Sequence, residues 1–374
     1  MNGRFIINIG IAVLSLICLL YSCDGDKEMN SEMFMYVGTY SANGSHGIYG
    51  YKLDSSTGDV ELIDSVSISN PSFLTASPNN KILYAVSENN DKERDGVHSY
   101  QINTETGKLS LLDSILVEGV APCYVLNTPN AEWVATANYT SGSVSMVKVN
   151  SFGMFDQSVS VLQFDGSGPN ERQTQSHLHS IYMSPDNRYL FANDLGGDKI
   201  YRFDNQLDLS DSPIYEFNVK SGSGPRHTVF HPNGKWAYTI TELSGEVIAF
   251  NYTDGILEEF QTVEADTLKA EGSGDIQITP DGKFLYASNR LKGDGVAIFS
   301  VDQKSGELEK IGYQSTGIHP RNMAITPNGE LLFVACKDSN VVELYKIDKK
   351  KGLLENMKKD IKLSLPVFIK LIPR

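Results

Sequence analysis

The chain has 374 residues, 40% of them apolar, enough to bury one large all-β domain or two smaller ones. A formal net charge of −14 argues against nucleic acid as a partner and otherwise speaks only of solubility. Four cysteines without a CxxC pair imply no disulfide framework.

At the N-terminus, Arg4 precedes FIINIGIAVLSLICLLYS, an uncharged apolar run that ends at Cys23 and gives way to the acidic DGDKE. Residues 1–22 therefore read as a signal peptide. Leu20-Tyr21-Ser22-Cys23 sets a small residue before a cysteine and reads as a lipobox with Cys23 the lipidated residue, although Tyr21 is an unusual occupant. The alternative is a transmembrane anchor, for which the run is at the short limit. Either way the globular part is expected in the bacterial cell envelope, touching the membrane only through its N-terminal anchor. Residues 23–32 read as a short acidic linker. Removing residues 1–22 takes away only the charge of Arg4 and leaves −15. It also leaves Cys123 and Cys336, far apart and expected as two buried free thiols.

The remainder is repetitive. SPNNKILYAVSE, TPNAEWVATANY, SPDNRYLFANDL, HPNGKWAYTITE, TPDGKFLYASNR and TPNGELLFVACK align on Pro78, Pro129, Pro185, Pro232, Pro280 and Pro327, spaced 51, 56, 47, 48 and 47 residues apart. Each unit has an apolar run, a Pro-Asn/Asp-Gly/Asn turn, an alternating aromatic and aliphatic run, and two further β-like runs. Four strands per unit at this spacing predict propeller blades. The C-terminal LPVFIKLIPR matches the first strand of a unit and the N-terminal MFMYVGTY the second, so the two chain ends are expected to complete a seventh blade and close the ring. The prediction is one seven-bladed, all-β propeller over residues 33–374.

The Pro turn reverses the chain, so residues before a first strand should meet residues after the second strand. In GSGPRHTVFHPNGKWAYTITEL this brings Arg226, His227 and Glu242 to one mouth and sends His231 to the other. The same operation adds Asp275 and Arg290, His179 and Asp194, Arg321 and Lys337, and Glu88, Asn138 and Tyr139. Charged groups sharing a concave site are what binds anions and perturbs pKa values. His177 and His179 share one side of a strand, but no third ligand stands at metal-site spacing, so no metal is expected. His46, His98 and His319 read as surface or loop residues.

ANY, RQ, HLHS, DLGGD, GPRHTVFHPNG, TEL, GSGDIQITPDGKFLYASNR and HPRNMAITPNG together resemble the β-propeller lactonases, the family of bacterial 6-phosphogluconolactonase and the fungal carboxymuconate lactonizing enzyme. The resemblance runs from VGTY to LPVFIKL and implies lactone chemistry without a cofactor. It implies a catalytic set of His179, Arg226, Glu242 and Arg290. Substrate-binding positions are expected at Glu88, Asn138, His177, Asp194, His227, Asp275 and Arg321. The implied reaction is hydrolysis of a small sugar-derived or anionic lactone, with water activated by Glu242 or His179 and the oxyanion held by Arg226 and Arg290. A lactonizing cycloisomerase using the same residues, a metal-dependent lactonase and a non-enzymatic envelope-binding propeller are the competing readings. An export signal sits oddly with a cytosolic sugar phosphate and leaves the particular lactone open.

Overall fold

The computed structural model describes Met1, residues 31–204 and residues 215–374. The signal peptide, Cys23 and nearly all of the predicted linker lie outside the described residues. The rest forms seven antiparallel sheets, and no helix occurs among the described residues. Six blades follow in chain order, each laid down inner strand first. Their inner strands are Leu74–Ala76, Pro122–Asn127, Leu178–Met183, Pro225–Phe230, Ser273–Ile278 and Pro320–Ile325. The seventh blade joins the ends of the chain: its inner strand Pro366–Pro373 pairs antiparallel with Glu32–Thr39, from Met33↔Pro373 to Thr39↔Pro366. The propeller thus begins one residue earlier than predicted.

The repeated turn is held by its own side chains. A Ser or Thr before each Pro donates to the Asn or Asp two residues later, as Ser77 does to Asn79 (2.7 Å), Thr279 to Asp281 (2.7 Å) and Thr326 to Asn328 (2.6 Å). In the fourth blade His231 takes this place: its Nδ1 accepts from the backbone N–H of Asn233 (3.1 Å). That accounts for His231 without chemistry. Blades pack through apolar clusters built from the second and third strands of neighbours, such as Tyr238, Ile240 and Ala249 against Leu285, Ala297 and Phe299. Among the described residues, outer turns are fitted to the preceding blade. Gly306 sits at φ 79°, and a Cβ there would lie 2.5 Å from the ring of Trp236, while Tyr238 donates to its carbonyl at 2.8 Å. Cys123 and Cys336 are buried free thiols.

Candidate active site

The mouth is shaped by an irregularity that recurs around the ring. In six blades the pairing of inner and second strands slips at the start of the inner strand, leaving Cys123, His179, Arg226, Gly274 with Asp275, Arg321 and Val367 without a partner. A β-bulge of this kind re-aims the extra residue. The residue before the strand's proline is left-handed in five blades, at Asn70, Ala121, Gly224, His319 and Leu365. The bulged side chains form one ring. The residues that follow each second strand form another: Tyr40, Glu88, Tyr139, Leu195, Glu242, Arg290 and Lys337.

Glu242 is the hub. Its Oε2 accepts from Nε of Arg226 at 2.7 Å and lies 3.2 Å from Nη2 of Arg290, while Arg172 donates to Oε1. Nε2 of His179 stands 4.0 Å from Oε2. Side chains of Arg226, Arg290, His179 and Glu242 are all buried, and that of Arg172 keeps 35% of its exposure. Burial alone would push the Glu242 carboxyl up; Arg290, Arg226 and Arg172 outweigh it and hold it well below the usual carboxylate range. Burial and the adjacent Arg226 push His179 well below its ordinary value, so its imidazole is neutral at pH 7. The same two causes bring His227 down to about 4.

The guanidinium groups are not equally committed. Arg290 donates Nε to the Gly272 carbonyl (2.6 Å) and Nη2 to that of Ser273 (3.0 Å), and its Nη1 meets His319 at 3.3 Å. Arg226 uses Nη1 on the Gly274 carbonyl (2.8 Å), and its Nη2 makes no hydrogen bond among the described residues. Arg321 makes none at all among the described residues. Its guanidinium lies 5.3 Å from the ring of Tyr40, and the nearby Tyr40, Glu88 and Glu242 outweigh burial to hold it charged. Tyr40 donates to Glu88 (3.2 Å), whose carboxyl burial pushes up.

Beneath this layer Phe73 packs between Tyr124 and Phe368, with ring centroids 3.7 and 3.9 Å away, and His227 meets Tyr124 edge-on. These rings floor the mouth and separate it from a channel cavity of about 280 Å³. An apolar floor under charged groups lowers the local dielectric and strengthens every interaction above it.

Of the residues singled out in the sequence, His179, Arg226, Glu242 and Arg290 do meet, with Glu88 and Arg321 across the mouth. His177 stacks on Tyr139 (4.3 Å) and its Nδ1 contacts the Tyr139 carbonyl, at the rim. His227 lies beneath Arg226, hydrogen-bonded at 2.8 Å to Asp275, which also accepts from Asn322 and the Met323 backbone. Asp275 is thus a brace for the inner strands and not a mouth residue. Asn138 and Asp194 also depart from expectation. Asn138 donates to Ser143 and Ser145, and Asp194 accepts from the backbone N–H groups of His177, Gly196 and Gly197. Each is the last residue of its second strand, one short of the ring position, and a one-residue offset points a side chain the other way. Among the described residues no three His, Cys, Asp or Glu side chains are grouped to hold a metal.

Two residues were not expected in the mouth: Arg172 went unassigned in the sequence, and His319 was read as a surface or loop residue. His319 does sit on the loop before its inner strand, but its side chain is largely covered, with Nε2 3.3 Å from Arg290 and Nδ1 2.9 Å from Asp338. Arg172 belongs to the long connection between the second and third blades, outside the repeat, so strand geometry could not place it; its presence in the RQ pair was the only signal.

The family model described as Lactonase, 7-bladed beta-propeller matches residues 34–371. A 6-phosphogluconolactonase of Formosa agariphila is 37% identical, covering 87% of this chain and 96% of that protein, and one of Bacillus subtilis is 36% identical over 90% and 97%. The solved structure of a candidate 6-phosphogluconolactonase from Bacteroides fragilis superposes with a TM-score of 0.88 at 45% identity, covering 92% of this chain and 99% of its own. The periplasmic gluconolactonase of Pseudomonas aeruginosa gives 0.86 at 29%, over 91% and 99%. The chain belongs to the seven-bladed β-propeller lactonase family.

Proposed function

We propose that the chain hydrolyses a small sugar-derived or anionic lactone, 6-phosphogluconolactone being the first to test. The observation that carries the reading is Glu242 held among Arg226, Arg290 and Arg172 with neutral His179 4.0 Å away. Water attacks the lactone carbonyl carbon, its proton passes to the Glu242–His179 pair, and the ring C–O bond breaks with the proton returned to the departing alkoxide. The product is the open hydroxy acid. The developing oxyanion needs donors that are not already spent. Nη2 of Arg226 and the guanidinium of Arg321 meet that need, so the pair moves from Arg226 and Arg290, as the sequence suggested, to Arg226 and Arg321. Arg290 fixes Glu242 instead. Names of the relatives at 36–37% identity support the same chemistry.

The test is hydrolysis of 6-phosphogluconolactone and gluconolactone by residues 24–374, corrected for spontaneous opening. Turnover that falls by about 10²- to 10³-fold in Arg226→Ala supports the assignment. Wild-type rates in that variant on every accepted lactone would remove Arg226 from the chemistry. We also propose that the chain is exported and lipidated at Cys23; mass spectrometry of the membrane fraction from a bacterial host would find a diacylglycerol-modified N-terminal Cys23, and a membrane-fraction chain whose Cys23 carries no lipid would contradict it.

A further inference from the structure

Glu242 has two oxygens in different circumstances. Oε2 faces two buried arginines, Arg226 and Arg290, both supplied by the propeller frame. Among the described residues Oε1 pairs only with Arg172, whose side chain is 35% exposed. Arg172 is also anchored independently of Glu242: its Nη1 donates to the Glu271 carbonyl at 2.8 Å, and neighbouring Asn170 donates to the Glu271 carboxylate at 3.2 Å. The arginine can therefore release Oε1 by turning about an end that remains held. Lys337 stands in the same ring, and the titratable and charged groups facing Glu242 are Arg172, Arg226, Arg290, Arg321, His179 and Tyr139.

We propose that Arg172 is an exchangeable arm: an anionic substituent on the lactone, a phosphate or carboxylate, draws its Nη2 away from Glu242, and the freed Oε1 becomes the atom that accepts the proton of the attacking water. The inference rests on the lactonase reading and adds to it a residue that selects the anionic lactone over the neutral one. Its physical basis is competition. An arginine that pairs with a carboxylate pairs as well with a phosphate, by charge-assisted bonds that are often bidentate. Glu242 then loses one of three neighbouring cations and becomes a stronger base, because part of what held its proton affinity down has left. Arg226 and Arg290 cannot serve in this way, since they are buried and spend donors on the backbone carbonyls of Gly272, Ser273 and Gly274. The atoms balance as in simple hydrolysis: water's oxygen joins the carbonyl carbon, its proton rests on Oε1, and that proton goes to the ring oxygen as the C–O bond breaks.

The experiment compares wild type with Arg172→Gln and Arg172→Lys on glucono-δ-lactone and its 6-phosphate, with the pH profile taken on the neutral lactone to avoid titration of the phosphate itself. In Arg172→Gln the kcat/KM ratio of phosphorylated to neutral lactone is expected to fall about ten- to a hundredfold, chiefly through KM. The acid limb of kcat/KM on the neutral lactone is expected to move up by about one pH unit, because Glu242 of the free enzyme has lost a cation. Arg172→Lys should recover part of the ratio. An equal loss on both lactones with the acid limb unmoved would reduce Arg172 to a structural strap and overturn the proposal. Absence of turnover of either lactone by the wild type would instead fail the lactonase reading, and this inference with it.

Discussion

Glu88 and Glu242 occupy the same position in two blades, each directly after a second strand and each pointing into the same mouth, yet their surroundings drive them apart. Glu242 has three arginines and stays ionised far below the ordinary range. Glu88 has a phenol at 3.2 Å and one cation, Arg321, shared with Tyr40, and burial wins. Equivalent backbone geometry thus yields two carboxyl groups of opposite character, and the difference lies entirely in what neighbouring blades and loops bring. Pairs pushed in opposite directions are a recurrent basis for dividing acid and base roles within one site.

The largest effect that can test this contrast is Glu242→Gln. Removing the charge leaves Arg226 and Arg290 buried without a counter-ion, so the variant is expected to lose about 3 to 5 kcal/mol in denaturant unfolding and at least about 10²-fold in kcat/KM. Retention of both would show that Glu242 is not the hub. Next in size is the response to acid. His227 binds its proton near 4 in the fold against 6.5 unfolded, so the unfolded chain takes up the proton first as pH falls. Stability is then fully present above about 6.5 and drains between 6.5 and 4, by about 3 kcal/mol for this residue, with His179 shifted in the same direction. Thermal melts from pH 7 to 4 should show this decline, and His227→Gln should flatten it; equal slopes would place the acid sensitivity elsewhere. The smallest effect is expected from Glu88→Gln, which resembles the protonated carboxyl and keeps an acceptor for Tyr40. Stability within about 1 kcal/mol of wild type and a loss in kcat/KM under about tenfold are expected, and a loss matching that of Glu242→Gln would erase the distinction between the two carboxyl groups.

The blade count and the ring closure were readable because both rest on local signals repeated along the chain: a proline turn with its Ser, Thr or His cap, and two terminal segments that match halves of one unit. The mouth was readable to one residue's accuracy. His179, Arg226, Glu242 and Arg290 meet as expected because strand order alone sets which ends meet. Asn138 and Asp194 did not, because the alternation of side chains at a strand's last residue turns them back onto their own blade, where they satisfy the chain's bend toward the third strand. Asp275 was misplaced by the extra residue of its bulge, a shift in register that carries no mark in composition.

By itself, then, the sequence determined the all-β ring, its seven blades, the sharing of the last blade by both chain ends and the mouth at which charge collects, since each follows from period, turn chemistry and strand direction. Only the tertiary structure decided which charges meet. Arg172 and His319 arrive on connections outside the regular strands, Arg290 is consumed by backbone carbonyls while Arg321 keeps its donors open, and the carboxyl of Glu242 is held down where burial pushes that of Glu88 up. Those outcomes depend on distances between residues from different blades and on how much water each group retains, and neither quantity is set by near neighbours along the chain.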